Sequence, residues 1–563
     1  MVYNRLNKLL SPSSVRVIFY FFALTLAALM AWRTRYRVNS DAMAYLDMGD
    51  ALVRGEWNVG INGQWSPLYP LLLGLVRFLS HPSPFWESTV AHFVNFAVYC
   101  GALFCFEFFF RELNHHREQQ FSSEAKGLFF PKWEWFVLGY TLFIGSSLIL
   151  IRISTLAPDL LVAAFVYLAA GLLLRIRRGL ANWLTFILLG AVLGMGYLAK
   201  TPMFILAFVF LTVSALLVGD LKKATPRVVT ALAIFLIIGS AYFVPLSKVK
   251  GRWTFGDSGK LNWAWHMNKV PFLHWQGQPP GSGTPKHPTR KILDHPEVYE
   301  FAEPISGTYP PWYDPSYWCD GVRPHFEIKQ IGRLLSNTFE YYFLFVYSYQ
   351  ISLTFALVLF LTYMPGGWRA GLRGILQYWF LLVPVIVAIG MYWLVHVESR
   401  YLSPFIVLLW LGLFSGVRLP ESQESRKLVT RVFIVLMITM VIQFAYPLTV
   451  LTESEQASNH GHVQWQVAKG LRDMGLQPGD KVATLGSGYT AYWARLDQVK
   501  IVAETQDPNS FWQVDESLKD QVVKAFSGVG ARAIIATDLP DHASTQGWLK
   551  IGDTNYYVHF LAR

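Results

Sequence analysis

Long apolar runs recur along this chain, and no other feature constrains its fold as strongly. A helix that spans a bilayer needs about 20 predominantly apolar residues. Segments of that kind run over 17–32, 85–110, 133–151, 156–174, 180–199, 202–219, 228–246, 337–361, 375–395, 402–417 and 430–449. The apolar segment 67–79 is shorter and begins with prolines, so it is expected to lie at the interface or to re-enter. The fold expected is an α-helical polytopic membrane protein with about 11 transmembrane helices.

Composition agrees. Of 563 residues, 53% are hydrophobic and only 15% charged, where soluble domains carry about 25% charged residues. A soluble enzyme and a disordered chain are both excluded. The formal charge is +11, and its distribution gives the reason. With the N-terminus cytoplasmic, every inner segment is basic: Arg5, Lys8 and Arg16; Arg111, Arg117, Lys126 and Lys132; Arg175, Arg177 and Arg178; Lys222, Lys223 and Arg227; Arg369 and Arg373; Arg418, Arg426, Lys427 and Arg431. That is the positive-inside pattern, an orientation signal and not a nucleic-acid footprint. No small-x-small cleavage site precedes Trp32-Arg33, so the first run reads as a retained span. Three cysteines are too few for a disulfide framework.

Three outer pieces remain: 33–84, 247–336 and 450–563. The expected division is a membrane domain over 1–450 carrying the first two, and an extracytoplasmic α/β domain over 451–563. In the latter, 462–475 has helical periodicity, and Pro478-Gly479-Asp480 turns into a strand at Lys481–Leu485. "VKIVAE" and "ARAIIAT" read as further strands. Gly486-x-Gly488 follows a strand but lacks the third glycine of a nucleotide-binding turn, so it reads as a tight strand-to-helix connection.

The first outer piece contains SDAMAYLDMGDALVRGE over 40–56. Ser40 is placed to cap a short helix. Asp41 is either a general base at the membrane surface or a partner for the helix terminus. Asp47 and Asp50 share a face and read as solvating it. This loop, with "ALVRGEW" and "SPLYPLLLGL", resembles the first loop of GT-C glycosyltransferases. The likeness is to the protein O-mannosyltransferase and lipid A aminoarabinose transferase type. "TLAPDLL" at 155–161, "GYLAKTPMFIL" at 196–206 and "HVESRYLSPF" at 396–405 resemble later segments of that family in order and spacing. One departure stands out: the family shows two adjacent acids, whereas Ala42 follows Asp41 here.

The resemblance implies a sugar carried on polyprenyl phosphate and transferred at the outer face. Asp41 is then the base, and Lys200 and Arg400, at outer helix ends, hold the departing phosphate. Asp159, Glu398 and Tyr401 support them. Snorkelling to the interface is the alternative for Lys200, and a salt bridge to Glu398 or Asp159 for Arg400. The middle piece is rich in aromatic residues: Trp253, Trp263, Trp265, Trp275, Trp312, Tyr313, Tyr317 and Trp318. Of these, Trp265, Trp312 and Tyr313, with His266, are candidate sugar or acceptor contacts; His274, Asp314 and Asp320 are further polar candidates. An aromatic belt at the interface is the alternative. "GTYPPWYDPSYW" over 307–318 is too proline-rich for a helix and is expected as an ordered loop capping the cavity. The histidine spacings match no metal-ligand motif, so no metal is implied.

The function expected is a membrane glycosyltransferase moving a sugar from a polyprenyl-phosphate donor to a lipid, glycan or protein acceptor. It would sit in a bacterial inner membrane among membrane lipids, with no nucleic-acid partner. A transporter or flippase of lipid-linked sugars and a non-catalytic envelope-assembly scaffold are the alternatives. Transporters usually show repeated halves with broken helices; no internal repeat is visible here, and large one-sided loops favour catalysis at the outer surface.

Overall fold

The computed structural model describes residues 12–123, 132–326, 350–540 and 546–561, with single positions outside those stretches. Five helical stretches are long and apolar enough to cross a bilayer: 13–33, 84–120, 133–150, 159–177 and 221–250. They contain or closely match the expected spans 17–32, 85–110, 133–151, 156–174 and 228–246. Four further expected spans fall on shorter apolar helices, Trp183–Ala199, Met203–Val218, Trp379–Val395 and Ser399–Ser415. Most of the expected span 337–361 lies outside the described residues. Its described part, Ile351–Tyr363, bends by 118° into Gly367–Leu376.

The short apolar segment forms a helix, Leu68–Ser80, laid against Ser40–Val53. Their contact is as close as two backbones allow. A Cβ on Gly49 would meet the Pro70 carbonyl at 2.5 Å, and one on Gly74 would meet the Gly49 carbonyl at 2.3 Å. Glycine at both positions therefore sets how near the first outer helix lies to its neighbour. Ser40 is the first helical residue, with Asn39 at the cap position and no side-chain capping bond, so the expected Ser40 cap is not formed.

The proline-rich 307–318 stretch also differs from expectation. It contains two single-turn helices, Pro310–Tyr313 and Pro315–Trp318, each starting on proline. Proline at the first helical position forfeits no hydrogen bond, since that N–H has no intrahelical partner anyway.

The helix Gln423–Asp473 runs 51 residues without interruption, from the last apolar run into the C-terminal sheet. That sheet has seven strands in the order β1-β2-β4-β3-β5-β7-β6. These are Arg290–Leu293, Val298–Glu300, Lys481–Leu485, Lys500–Thr505, Ala533–Thr537, Leu549–Lys550 and Tyr556–Phe560 for β1 to β7. β3 pairs in parallel with β4 and β5, and the remaining pairs are antiparallel. The parallel centre is buried nearly throughout, as near-continuous apolar strands require.

β1 and β2 come from the middle outer piece, so the 247–336 segment is stitched into the C-terminal sheet. The stitch centres on Glu504, which is fully buried. Its carboxylate accepts from Tyr309 Oη at 2.7 Å and from the Gly488 N–H at 2.7 Å, and His274 Nε2 lies 2.7 Å away. Two consequences follow. His274 is a buried structural partner and not a free contact for a ligand. The Gly488 amide that a nucleotide phosphate would use already holds a carboxylate of the same chain.

Candidate active site

Three breaks between apolar helices carry charged residues. Lys200 is extended (φ −160°, ψ 131°) between Trp183–Ala199 and Met203–Val218. His396 is extended (φ −163°, ψ 130°) after Trp379–Val395, and Glu398 occupies the cap position of Ser399–Ser415. Asp159 opens its helix directly after Pro158. Helix termini leave backbone groups unpaired and carry partial charge. Asp159 and Glu398 at N-terminal ends and Lys200 at a C-terminal end all match those charges. Arg400 alone sits against the dipole, so its stability there rests on nearby carboxylates.

Those carboxylates are present. Arg400 donates to Glu398 at 2.5 Å, and lies 3.8 Å from both Asp159 and Asp41. Lys200 donates to Asp159 at 2.6 Å and stands over the Tyr401 ring at 3.6 Å. Arg400 also donates to Tyr401 Oη at 3.3 Å. Asp41 accepts from Trp312 Nε1 at 3.2 Å. Burial pushes the Asp41 carboxyl above its ordinary range, opposed by the Arg400 charge and the Trp312 bond. Burial also acts upward on Glu398, but the His396 bond and Arg400 outweigh it and hold that carboxyl near 2.

Asp41, Asp159, Lys200, Arg400 and Tyr401 line one cavity of 310 Å³, with Tyr45, Gln64, Trp65, Ser66, Thr201, Lys260, Asn262, Tyr392 and His396 among the other walls; Glu398 joins the set through Arg400. Asp41 and Tyr45 are four residues apart and so share a helix face. The structure thus brings Asp41, Asp159, Lys200, Glu398, Arg400 and Tyr401 together.

The aromatic candidates stand differently. Trp312 reaches Asp41 from behind and is stacked on Trp265, both being buried. His266 stacks on His396 at 3.8 Å, and burial with that neighbour lowers it to about 4, so it is neutral near pH 7. Tyr313 lines a second cavity and donates to the Val59 carbonyl. Asp314 caps Pro315–Trp318 and faces Lys250 at 3.7 Å, while Asp320 pairs with Lys286 at 3.3 Å.

That second cavity, of 510 Å³, lies between Ser40–Val53 and the C-terminal domain. Asp47 is six residues from Asp41, about 120° round the helix at 3.6 residues per turn, so it faces this other side. Asp47 and Asp50 do not merely solvate the helix as expected. Both are ion-paired to Arg495, which also binds Glu87 at 2.8 Å, and Arg77 joins Asp50 to Glu87. Sequence reasoning had no signal for this cluster, because its members lie up to 448 residues apart. It likewise missed Gln64, in a loop, and Lys260, in the short helix Ser258–His266, whose approach to the cavity no local pattern encodes.

Among the described residues, no group of three His, Cys, Asp or Glu side chains is placed to hold a metal ion.

The chain is similar in arrangement to two GT-C glycosyltransferases of known structure. One is the Archaeoglobus fulgidus oligosaccharyltransferase in its apo form: 13% identity, TM-score 0.46, covering 92% of this chain and 69% of that one. The other is ArnT from Cupriavidus metallidurans: 11% identity and TM-score 0.41 in the apo state, covering 96% of this chain and 98% of that one. ArnT bound to undecaprenyl phosphate aligns at 12% identity and TM-score 0.41 over 97% of this chain and 98% of that one. Protein-family models and curated proteins give no match.

Proposed function

We propose that this chain is a membrane glycosyltransferase of GT-C type that moves a sugar from a polyprenyl-phosphate donor to an acceptor hydroxyl at the outer face. One observation carries the reading. A carboxylate and two cations from three distant segments, Asp41, Lys200 and Arg400, converge in a single cavity at the ends of apolar helices. Three of the helices ending there are 17 residues long, about 25 Å at 1.5 Å per residue. That is roughly one turn less than the hydrocarbon thickness of about 30 Å, which suits a site reaching lipid headgroups.

In this reading Asp41 takes the proton of the acceptor hydroxyl as its oxygen attacks the anomeric carbon. The bond from that carbon to the phosphate oxygen breaks, and its electron pair leaves with the polyprenyl phosphate. Lys200 and Arg400 meet the charge that develops there. Their carboxylate partners hold both side chains in place beforehand, so little reorganisation is needed at the moment of transfer. Lys260, whose charge otherwise faces Asp257 and Asp320, adds a third cation to the wall. The acceptor class, lipid, glycan or protein, is read most directly by mass spectrometry of the envelope of a strain lacking the protein. A single glycan or glycolipid should lose one sugar, and an unchanged envelope would remove the reading.

Lys200→Ala and Arg400→Ala are each expected to weaken polyprenyl-phosphate binding. Losing one charge-assisted contact costs about 1.5–3 kcal/mol, or about 10- to 150-fold in affinity. Arg400→Lys keeps the charge but not the forked geometry and should recover only part. Purified variants that bind polyprenyl phosphate like the parent would take these residues out of the donor site.

Orientation is tested separately. In this reading the basic segments are cytoplasmic and the C-terminal domain is outside, so reporters fused after residue 460 should behave as extracytoplasmic. Cytoplasmic behaviour there would place the cavity on the wrong face for this chemistry.

A further inference from the structure

Gln64 is 8% exposed and lines the 310 Å³ cavity that holds Asp41. Its Oε1 is buried and has no hydrogen-bond partner among the described residues. That is unusual, because buried polar side-chain atoms are nearly always paired. The surrounding loop shows no looseness that would excuse it. The Asn62 side chain accepts from the Gln64 N–H at 3.1 Å and the Trp65 N–H at 2.9 Å, and donates to the Tyr313 carbonyl at 3.1 Å. Tyr242 Oη donates to the carbonyls of Asn62 at 2.9 Å and Trp65 at 3.2 Å. On either side of Gln64, Gly63 donates to Ser316 Oγ at 3.0 Å and accepts from the Asp257 N–H at 2.7 Å. The loop is thus pinned from four sides, while the side chain it places in the cavity wall keeps an unpaired amide oxygen.

The walls beside it are aromatic. Trp65 and Tyr45 also line the cavity, with ring centroids 5.2 Å apart and planes at 78°. An apolar ring face beside an uncharged amide suits a pyranose, whose carbons offer an apolar face and whose hydroxyls both donate and accept. Charge recognition sits elsewhere in the same cavity, at Lys200 and Arg400.

We infer that Gln64 is the specificity-determining residue for the donor's sugar, its amide pairing with a hydroxyl while Lys200 and Arg400 hold the phosphate. This rests on the glycosyl-transfer reading and adds to it the pole of the cavity that tells one sugar from another. Sites built to pair with a hydroxyl discriminate strongly against ligands lacking it, because the buried group is then left alone.

The test uses the full-length protein in nanodiscs, with polyprenyl phosphate alone and a panel of polyprenyl-phosphate hexoses, hexosamines and pentoses as probes. In the parent, at least one glycosylated probe should bind more tightly than polyprenyl phosphate. Gln64→Leu, of similar size without either polar end, should weaken that probe at least tenfold and leave polyprenyl phosphate unchanged. Gln64→Glu, which keeps only an acceptor, should reorder the panel. The assignment is overturned if Gln64→Leu binds every glycosylated probe as the parent does, or if the parent prefers none of them to polyprenyl phosphate. A parent that binds no polyprenyl phosphate would sink the functional reading itself, and the Gln64 assignment with it.

Discussion

Replacing Asp41 by asparagine is expected to reduce sugar transfer by about 10²-fold or more while leaving expression, folding and donor binding near normal. Asparagine keeps the size of the side chain and an acceptor for the bond from Trp312, but it cannot take a proton. If Asp41 merely stabilises the start of Ser40–Val53 as a charge in its first turn, the pattern reverses: activity persists and any loss is of stability, within about 0.3–1 kcal/mol. The pH profile adds a second measurement. A base must be ionised, and burial raises the Asp41 carboxyl. Transfer should therefore rise with pH through a limb lying above the ordinary aspartate value of about 3.9. Arg400→Gln removes the charge that opposes burial, so it should move that limb to higher pH. An Asp41→Asn protein that transfers sugar at the parent rate takes Asp41 out of the mechanism.

Arg495→Met is expected to destabilise the protein strongly without touching the cavity that holds Asp41. The Arg495 side chain is 5% exposed and is shared by Asp47, Asp50 and Glu87. Removing one partner of a buried ion pair costs about 3–5 kcal/mol, since the remaining charges lose compensation without regaining water. Arg77 still reaches Asp50 and Glu87, and the Thr308 N–H and hydroxyl still reach Asp47, so the loss should fall at the lower end. The readout is a lower midpoint of thermal unfolding together with faster proteolysis of the C-terminal domain. Adding Asp47→Asn, Asp50→Asn and Glu87→Gln to Arg495→Met should restore part of the loss, because the stranded charges are then gone. A single variant that melts like the parent would show that the cluster contributes nothing to holding the domain against the membrane helices.

Asp41 and Asp47 illustrate what the sequence alone settles and what it leaves open. Apolar runs report membrane residence directly, because transfer into lipid depends on composition within one segment. The strands Lys481–Leu485, Lys500–Thr505 and Ala533–Thr537 were legible for the same local reason, as continuous β-branched and apolar runs. The short strands β1 and β2 were not, since joining them to the sheet rests on pairing β2 with β4, about 200 residues away, which leaves no trace in either segment.

The charged residues of the cavity were legible as a set, because lysine, arginine and aspartate at the ends of apolar helices are conspicuous against the cost of burying charge. Of what they touch, only the pairing of Arg400 with Glu398 or Asp159 was expected. Only the tertiary structure decides that Lys200 pairs with Asp159, that Arg400 is shared among three carboxylates, and that Asp41 and Asp47, on one short helix, face different cavities. It also decides that Tyr313 belongs with Asp47, and that an unpaired glutamine faces the same space as Asp41. Periodicity and hydropathy act within one segment, whereas the partner of a buried charge is chosen by which segments the packing brings within a few ångströms.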